Sequence, residues 1–313
     1  MKKIGYLLIT SCLTASVLSG CSNEATGQLG SGTNGDEVLH IFATTGYLAD
    51  AAKNIAPDAE ITTMVGPGGD PHTYQPTTQD MEKMQDADLV LWNGLHLEAK
   101  MIDQLESLGD KQLSAEEKLD RSELLPWPEK GPDGEPLYDP HIWNSPQLWS
   151  QVVDSIGAKF AEIDSKNAKK YEHAADDYER RIQQAAKDAE SKLDSVSPRV
   201  LITGHDAFNY FGKTFDFDVH ATDFVTTEAT KSPQEISELA DTIATRKIPV
   251  IFQDNQANPQ AIKALKEAVH SRGWVVKISS EVLFADTLGP TSPDDTYIGA
   301  LNHNATTVAE AFK

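Results

Sequence analysis

The stretch NAKKYEHAADDYERRIQQAAKDAESKLDS, residues 167–195, sets the architecture of the chain. Tyr171, Ala175, Tyr178, Ile182, Ala186, Ala189 and Leu193 recur at steps of three and four, which draws one apolar stripe along an otherwise charged helix. No glycine or proline interrupts the run before Pro198. A helix over that span is about 43 Å long, enough to cross two lobes as a single strut.

On both sides of it, short β-branched runs alternate with amphipathic stretches. VLHIFATT (38–45), EITTMV (60–65) and ADLVLWNG (87–94) read as strands, with YLADAAKNIA (47–56) as a helix between the first two. After the strut, RVLITG (199–204), FDVHAT (217–222), IPVIFQD (248–254) and WVVKIS (274–279) read as strands. SPQEISELADTIATR (232–246) and NPQAIKALKEAVHSR (258–272) lie among them as helices. This alternation predicts an α/β fold of two lobes, each a mostly parallel sheet with flanking helices, joined by one long rigid helix. The expected division is an N-terminal lobe at 38–165, a linking helix at 166–197 and a C-terminal lobe at 198–313.

The first residues read as an address. Lys2 and Lys3 precede a mostly apolar run from Ile4 to Leu18, too short to span a bilayer comfortably, so 1–20 is expected to be a signal peptide. Leu18-Ser19-Gly20-Cys21 resembles the lipobox of bacterial lipoproteins, which implies cleavage before Cys21 and a lipid on its sulfur. Of the two cysteines, Cys12 lies inside the signal, so the processed chain keeps Cys21 alone and can form no internal disulfide. Residues 21–37 are rich in Gly, Ser and Asn and read as a flexible tether; the fourteen residues 22–35 would span roughly 20 Å as a coil. The formal charge of −21 argues against nucleic acid as a partner.

The chemistry concentrates in histidines. Asp-Pro-His occurs twice, in GGDPHTYQPT (68–77) and YDPHIWNSPQLW (138–149), ending on His72 and His141. Proline fixes its own backbone and extends the residue before it, so each histidine sits on a stiff loop at the end of an element. Each alone could serve a loop carbonyl or a helix cap; the repetition points to metal ligation. His205, behind Gly204 in RVLITGHDAFNYF, lies just past a strand at the opening of an expected helix. Asp286, in LFADTLGP, lies in a turn where aspartates are common.

GPGGDPHTYQPT, WNGLHLEAKM, DPHIWNSPQLW, GHDAFNYFGKTF and FADTLG, in this order and followed by TYIGALNHN, resemble the TroA-like (cluster A-I) metal-binding solute receptors of bacterial manganese and zinc ABC importers. The resemblance runs from about residue 38 to 313. It implies one divalent ion between the lobes, with His72, His141, His205 and Asp286 as ligands. It also implies an ABC permease and its ATPase as partners, an extracytoplasmic lipid-anchored location and no enzymatic activity; the chain is expected to be a monomer. The strand motif that usually holds a glutamate reads IFQDNQ here, leaving Asp254 as a supporting carboxylate. His96 in GLHLE and His303 in NHN read as structural or supporting groups. Glu98 reads as a surface or helix-start acid, His40 as a strand residue in polar contacts, and His173 as an exposed helix residue.

Three imidazoles and a carboxylate, with no thiolate, suit Zn²⁺ when the carboxylate binds through one oxygen and Mn²⁺ when it binds through two. No histidine occurs between His96 and His141, where zinc-dedicated relatives carry a His-rich loop; this favours Mn²⁺. His205 stands where other manganese receptors have glutamate, which favours Zn²⁺. Two rival classes are a zinc hydrolase and a surface adhesin. Against the hydrolase, H-E-x-x-H is absent and Asp286 would fill the open coordination position. An adhesin leaves the matched motifs unexplained.

Overall fold

The computed structural model describes residues 38–131, 134–227 and 231–313. The expected signal, the tether and Cys21 lie outside the described residues. Among these, no helix is long and apolar enough to cross a membrane.

The first lobe is wound around β1 (His40–Thr45), β2 (Glu60–Val65), β3 (Leu89–Trp92) and β4 (Gln112–Ser114), a parallel sheet in the order β2-β1-β3-β4. After its exposed first residue β1 is buried throughout, as a strand covered on both faces must be. Ile41, Ala43, Leu89 and Leu91 face the main core, while Phe42 and Val90 face a second cluster with Met64 and Met84. The flanking helices are α1 (Gly46–Ile55), α2 (Thr78–Asp86) and the short α3 (Ile102–Glu106).

Several elements go beyond the expected pattern, among them the three that flank His141. The Pro-rich stretch after residue 125 pairs β5 (Pro126–Lys130) antiparallel with β6 (Pro136–Tyr138), which brings the chain back toward His141. Then α4 (Pro146–Ile163) starts on Ser145, whose side chain caps Leu148 N, with proline in the first turn.

The strut is α5 (Ala168–Leu193), 26 residues and about 39 Å. It is shorter at both ends than its periodicity predicts, and Ala185 rather than Ala186 is the buried member of the stripe. Gly157 lets α4 approach it closely, since a Cβ there would stand 2.7 Å from Ala175 Cβ.

Beyond α5 come β7 (Val200–Thr203), α6 (Asn209–Phe215), β8 (Asp218–Ala221), α7 (Pro233–Arg246), β9 (Val250–Asp254), α8 (Pro259–His270), β10 (Lys277–Leu283) and α9 (Tyr297–Ala311). The strands form two parallel pairs, β7–β8 and β9–β10, with β7 lying against β9. The apolar run 274–279 predicts a strand three residues too early. Val275 is exposed, and β10 continues through an irregularity between Ile278 and Val282 whose polar residues hide it from pattern reading. The helix expected to open at His205 begins at Asn209, which leaves His205 in the loop.

Substituting Gly157 by leucine should force α4 from α5 and cost about 1–3 kcal/mol. A thermal melt of the metal-free protein should show the midpoint several degrees lower; an unchanged midpoint would mean that α5 yields freely.

Candidate metal centre

His72 lies beyond β2, His205 beyond β7 and Asp286 beyond β10, all past the carboxyl ends of parallel strands, where α/β folds leave a crevice. His141 follows β6. The ligating atoms of the four lie within 4.8 Å of one another, and all four residues are buried.

Each Asp-Pro-His unit folds in the same local way. Asp70 Oδ1 accepts the backbone N–H of His72 at 2.9 Å, and Asp139 Oδ1 accepts that of His141 at 3.0 Å. Aspartate thus closes a turn on the residue two positions on, with proline stiffening the link. Proline supplies only the stiffness; the aspartate oxygens close the turns. The units then diverge. Asp139 Oδ1 also pairs with His141 Nδ1 at 2.6 Å, while Asp70 Oδ2 accepts from Thr227 Oγ1 at 2.5 Å, a link between the halves of the chain.

The WNGLHLE motif supports this loop. Gly94, Leu95 and His96 all have positive φ, and Glu98 holds the turn by accepting Asn93 N at 2.8 Å, Gly94 N at 3.2 Å and Thr44 Oγ1 at 2.6 Å. Glu98 is therefore a buried anchor and not a surface acid, and burial pushes its carboxyl up. Asn93 Nδ2 then donates to Pro140 O at 2.9 Å, directly before His141. His96 itself is partly exposed and faces Glu135 at 3.8 Å, outside the group of four.

In the second lobe Asp254 Oδ2 accepts the backbone N–H groups of Gly204 and His205, both at 2.9 Å, so it aims the His205 loop without touching the imidazole. Gly204 has no room for a side chain, since a Cβ would meet Ala257 Cβ at 2.3 Å. Burial lifts the Asp254 carboxyl to about 6 against the pull of His205. His303 binds Val282 O at 2.9 Å, His40 pairs with Glu60 at 3.3 Å, and His173 is exposed.

The three imidazoles converge through Nε2. His141 Nε2 stands 3.2 Å from those of both His72 and His205. Asp286 Oδ1 is 3.4 Å from His141 Nε2, and Oδ2 is 3.5 Å and 3.3 Å from those of His72 and His205. Neither oxygen accepts a hydrogen bond among the described residues. Burial opposes charge on Asp286, yet His205, His141 and His72 hold its carboxyl well below the usual range. Burial keeps His72 low, while Asp286 raises His205 despite burial. His141 is also desolvated, but Asp139 and Asp286 outweigh this and push it up to about 10. With its Nδ1–H turned to Asp139, His141 presents Nε2 to the centre, either protonated or as a lone pair for a cation.

A buried set of three imidazole nitrogens and one carboxylate, with ligating atoms within 4.8 Å of one another, has the donor chemistry of a transition-metal site. It is too nitrogen-rich for Mg²⁺ or Ca²⁺, and it leaves no open position for a hydrolytic water once Asp286 takes part. Fold and site together define the class of solute-binding receptors that serve metal-importing ABC transporters, which are not enzymes.

The chain belongs to the family described as "Zinc-uptake complex component A periplasmic", whose model matches residues 41–311. It is 32% identical over 302 residues to the manganese-binding lipoprotein MntA of Bacillus subtilis, covering 95% of each chain. It is 34% identical over 276 residues to the zinc-binding protein TroA of Treponema pallidum, covering 87% of this chain and 88% of that one. The solved structure of that TroA superposes with a TM-score of 0.81 at 33% identity, over 88% of this chain and 99% of the other.

Replacing Asp139 by asparagine should bring the His141 pKa down from about 10 toward the ordinary imidazole range and weaken metal binding about 10- to 100-fold. NMR titration of the metal-free ring reads the first change; an unmoved His141 would remove Asp139 as its cause.

Proposed function

We propose that the chain captures Mn²⁺ with His72, His141, His205 and Asp286 and delivers it to a membrane permease driven by an ATPase. The observation that carries manganese is the attitude of Asp286: both oxygens face the imidazole nitrogens and neither is engaged elsewhere. A carboxylate free at both oxygens favours a five-coordinate ion, which Mn²⁺ accepts more readily than Zn²⁺. The manganese-binding relative matched over 95% of both chains supports the same cargo. Zinc is the second reading, favoured by the three-nitrogen donor set and by the zinc-binding relative at 34% identity. Affinity alone does not decide, because zinc outbinds manganese at such a set whatever the biological cargo.

The proposed organisation is a lobe at 38–165, a linking helix at 166–197 and a lobe at 198–313, working as a monomer outside the cytoplasmic membrane and tethered by lipid on Cys21. Substituting Cys21 by serine should move the protein from the membrane fraction to the medium; retention on the membrane would remove the lipid anchor from this reading.

Titration calorimetry of the metal-stripped protein tests the reading. One-to-one Mn²⁺ binding, lost in His72→Ala, is expected. Where binding displaces one proton from His141 Nε2, the Kd should rise about tenfold for each pH unit lowered below the His141 pKa of about 10. Binding of Zn²⁺ with no Mn²⁺ heat would transfer the proposal to zinc, and binding of neither would end it.

A further inference from the structure

The direction of the Asp286 carboxylate is set from outside the carboxylate, because no donor holds either oxygen. The peptide before it is gripped at both ends. Ala285 N donates to Asn255 Oδ1 at 2.8 Å, and the same Asn255 side chain donates to Thr287 O at 2.8 Å and Thr287 Oγ1 at 2.7 Å. Those partners belong to the second lobe. The Ala285 carbonyl instead accepts from two side chains of the first lobe, Trp143 Nε1 at 2.8 Å and Tyr47 OH at 3.0 Å. The two rings stack at 4.9 Å and 17°, and Trp143 meets the His141 ring edge-on at 5.3 Å and 79°.

Trp143 therefore touches one member of the cluster and, through Ala285, restrains another from the opposite lobe. The neighbouring aromatics show that this is specific. Trp149 and Tyr297 stack in the same core, yet Trp149 Nε1 and Tyr297 OH are buried without a hydrogen-bond partner among the described residues. The polar tips of Trp143 and Tyr47 alone converge on the carbonyl next to Asp286.

We propose that Trp143 and Tyr47 are positioning residues that hold Asp286 with both oxygens toward the metal and so set the cargo's coordination number and its rate of release. This rests on reading the four buried residues as the metal site. Without the two donors the Ala285–Asp286 peptide can turn, one oxygen leaves the centre, and the ion is held by a four-donor set that favours zinc over manganese.

Co²⁺ is the probe, because its visible bands intensify as the coordination number falls. The full chain, Trp143→Phe, Tyr47→Phe and the control Tyr297→Phe are each loaded with Co²⁺, and release to excess chelator is timed. Both donor variants should show stronger bands and release at least tenfold faster, with Tyr297→Phe matching the wild type. Tyr47→Phe removes a single oxygen, so it tests the idea even where Trp143→Phe disturbs the fold. Bands and rates unchanged in both variants, whatever happens to the metal-free melting temperature, overturn the inference alone. A wild-type chain giving no cobalt band overturns the metal-site reading and the inference together.

Discussion

A carboxylate with no hydrogen-bond donor among the described residues, sealed from water between two lobes, is the constraint on which the rest of this structure depends. An unpaired buried ion costs several kcal/mol even after relaxation. Asp286 meets that cost with three imidazole nitrogens at 3.3–3.5 Å, which hold its carboxyl well below the usual range. Under the metal-site reading proposed above, a dication and a proton on His141 compete for the same ring nitrogen, so affinity falls as pH falls.

The supporting residues can be sorted by how they act on the four. Asp70 and Asp139 close the turns under the first-lobe histidines, Glu98 and Asn93 brace the second of those turns from beneath, and Asp254 aims His205 through its backbone. None of these carboxylates points at the cluster centre; Asp139 reaches His141 from behind, at Nδ1. These supporting acids are thus occupied with N–H and O–H groups, while Asp286 at the centre has no hydrogen-bond donor among the described residues. That division keeps stray carboxylates from competing for the ion and leaves a defined donor set.

Much of this was legible in the residues. The α5 stripe, the strand–helix alternation and the two Asp-Pro-His loops follow from periodicity and proline chemistry. The remainder was hidden for physical reasons. Ala186 and Ala185 are indistinguishable to a pattern of apolar letters, and the rotation of a long helix decides between them. β10 hid behind its polar bulge, and α4 behind the Asp-Pro-His motif that precedes it. Asp286 carries no local signal, since an aspartate before a Gly-Pro turn is commonplace; only its place in the ordered set of motifs marks it. Trp143 and Tyr47 look like core aromatics, and Glu98 like a surface acid, because tertiary hydrogen bonds leave no trace in spacing.

The main apolar core does not respect the division into lobes. It runs without a break from Ile41 and Leu48 in the first, through Tyr178, Ile182 and Ala189 of α5, to Phe252, Leu301 and Val308 in the second. Each half also holds a smaller cluster of its own, around Phe42 and Met84 in the first and around Ile202 and Leu265 in the second, but the largest hydrophobic interior is shared. Under the proposed metal-site reading, a cation held by His72, His141, His205 and Asp286 stabilises every element that shares this core, so the difference in melting temperature between metal-free and metal-loaded chain reports the site's occupancy.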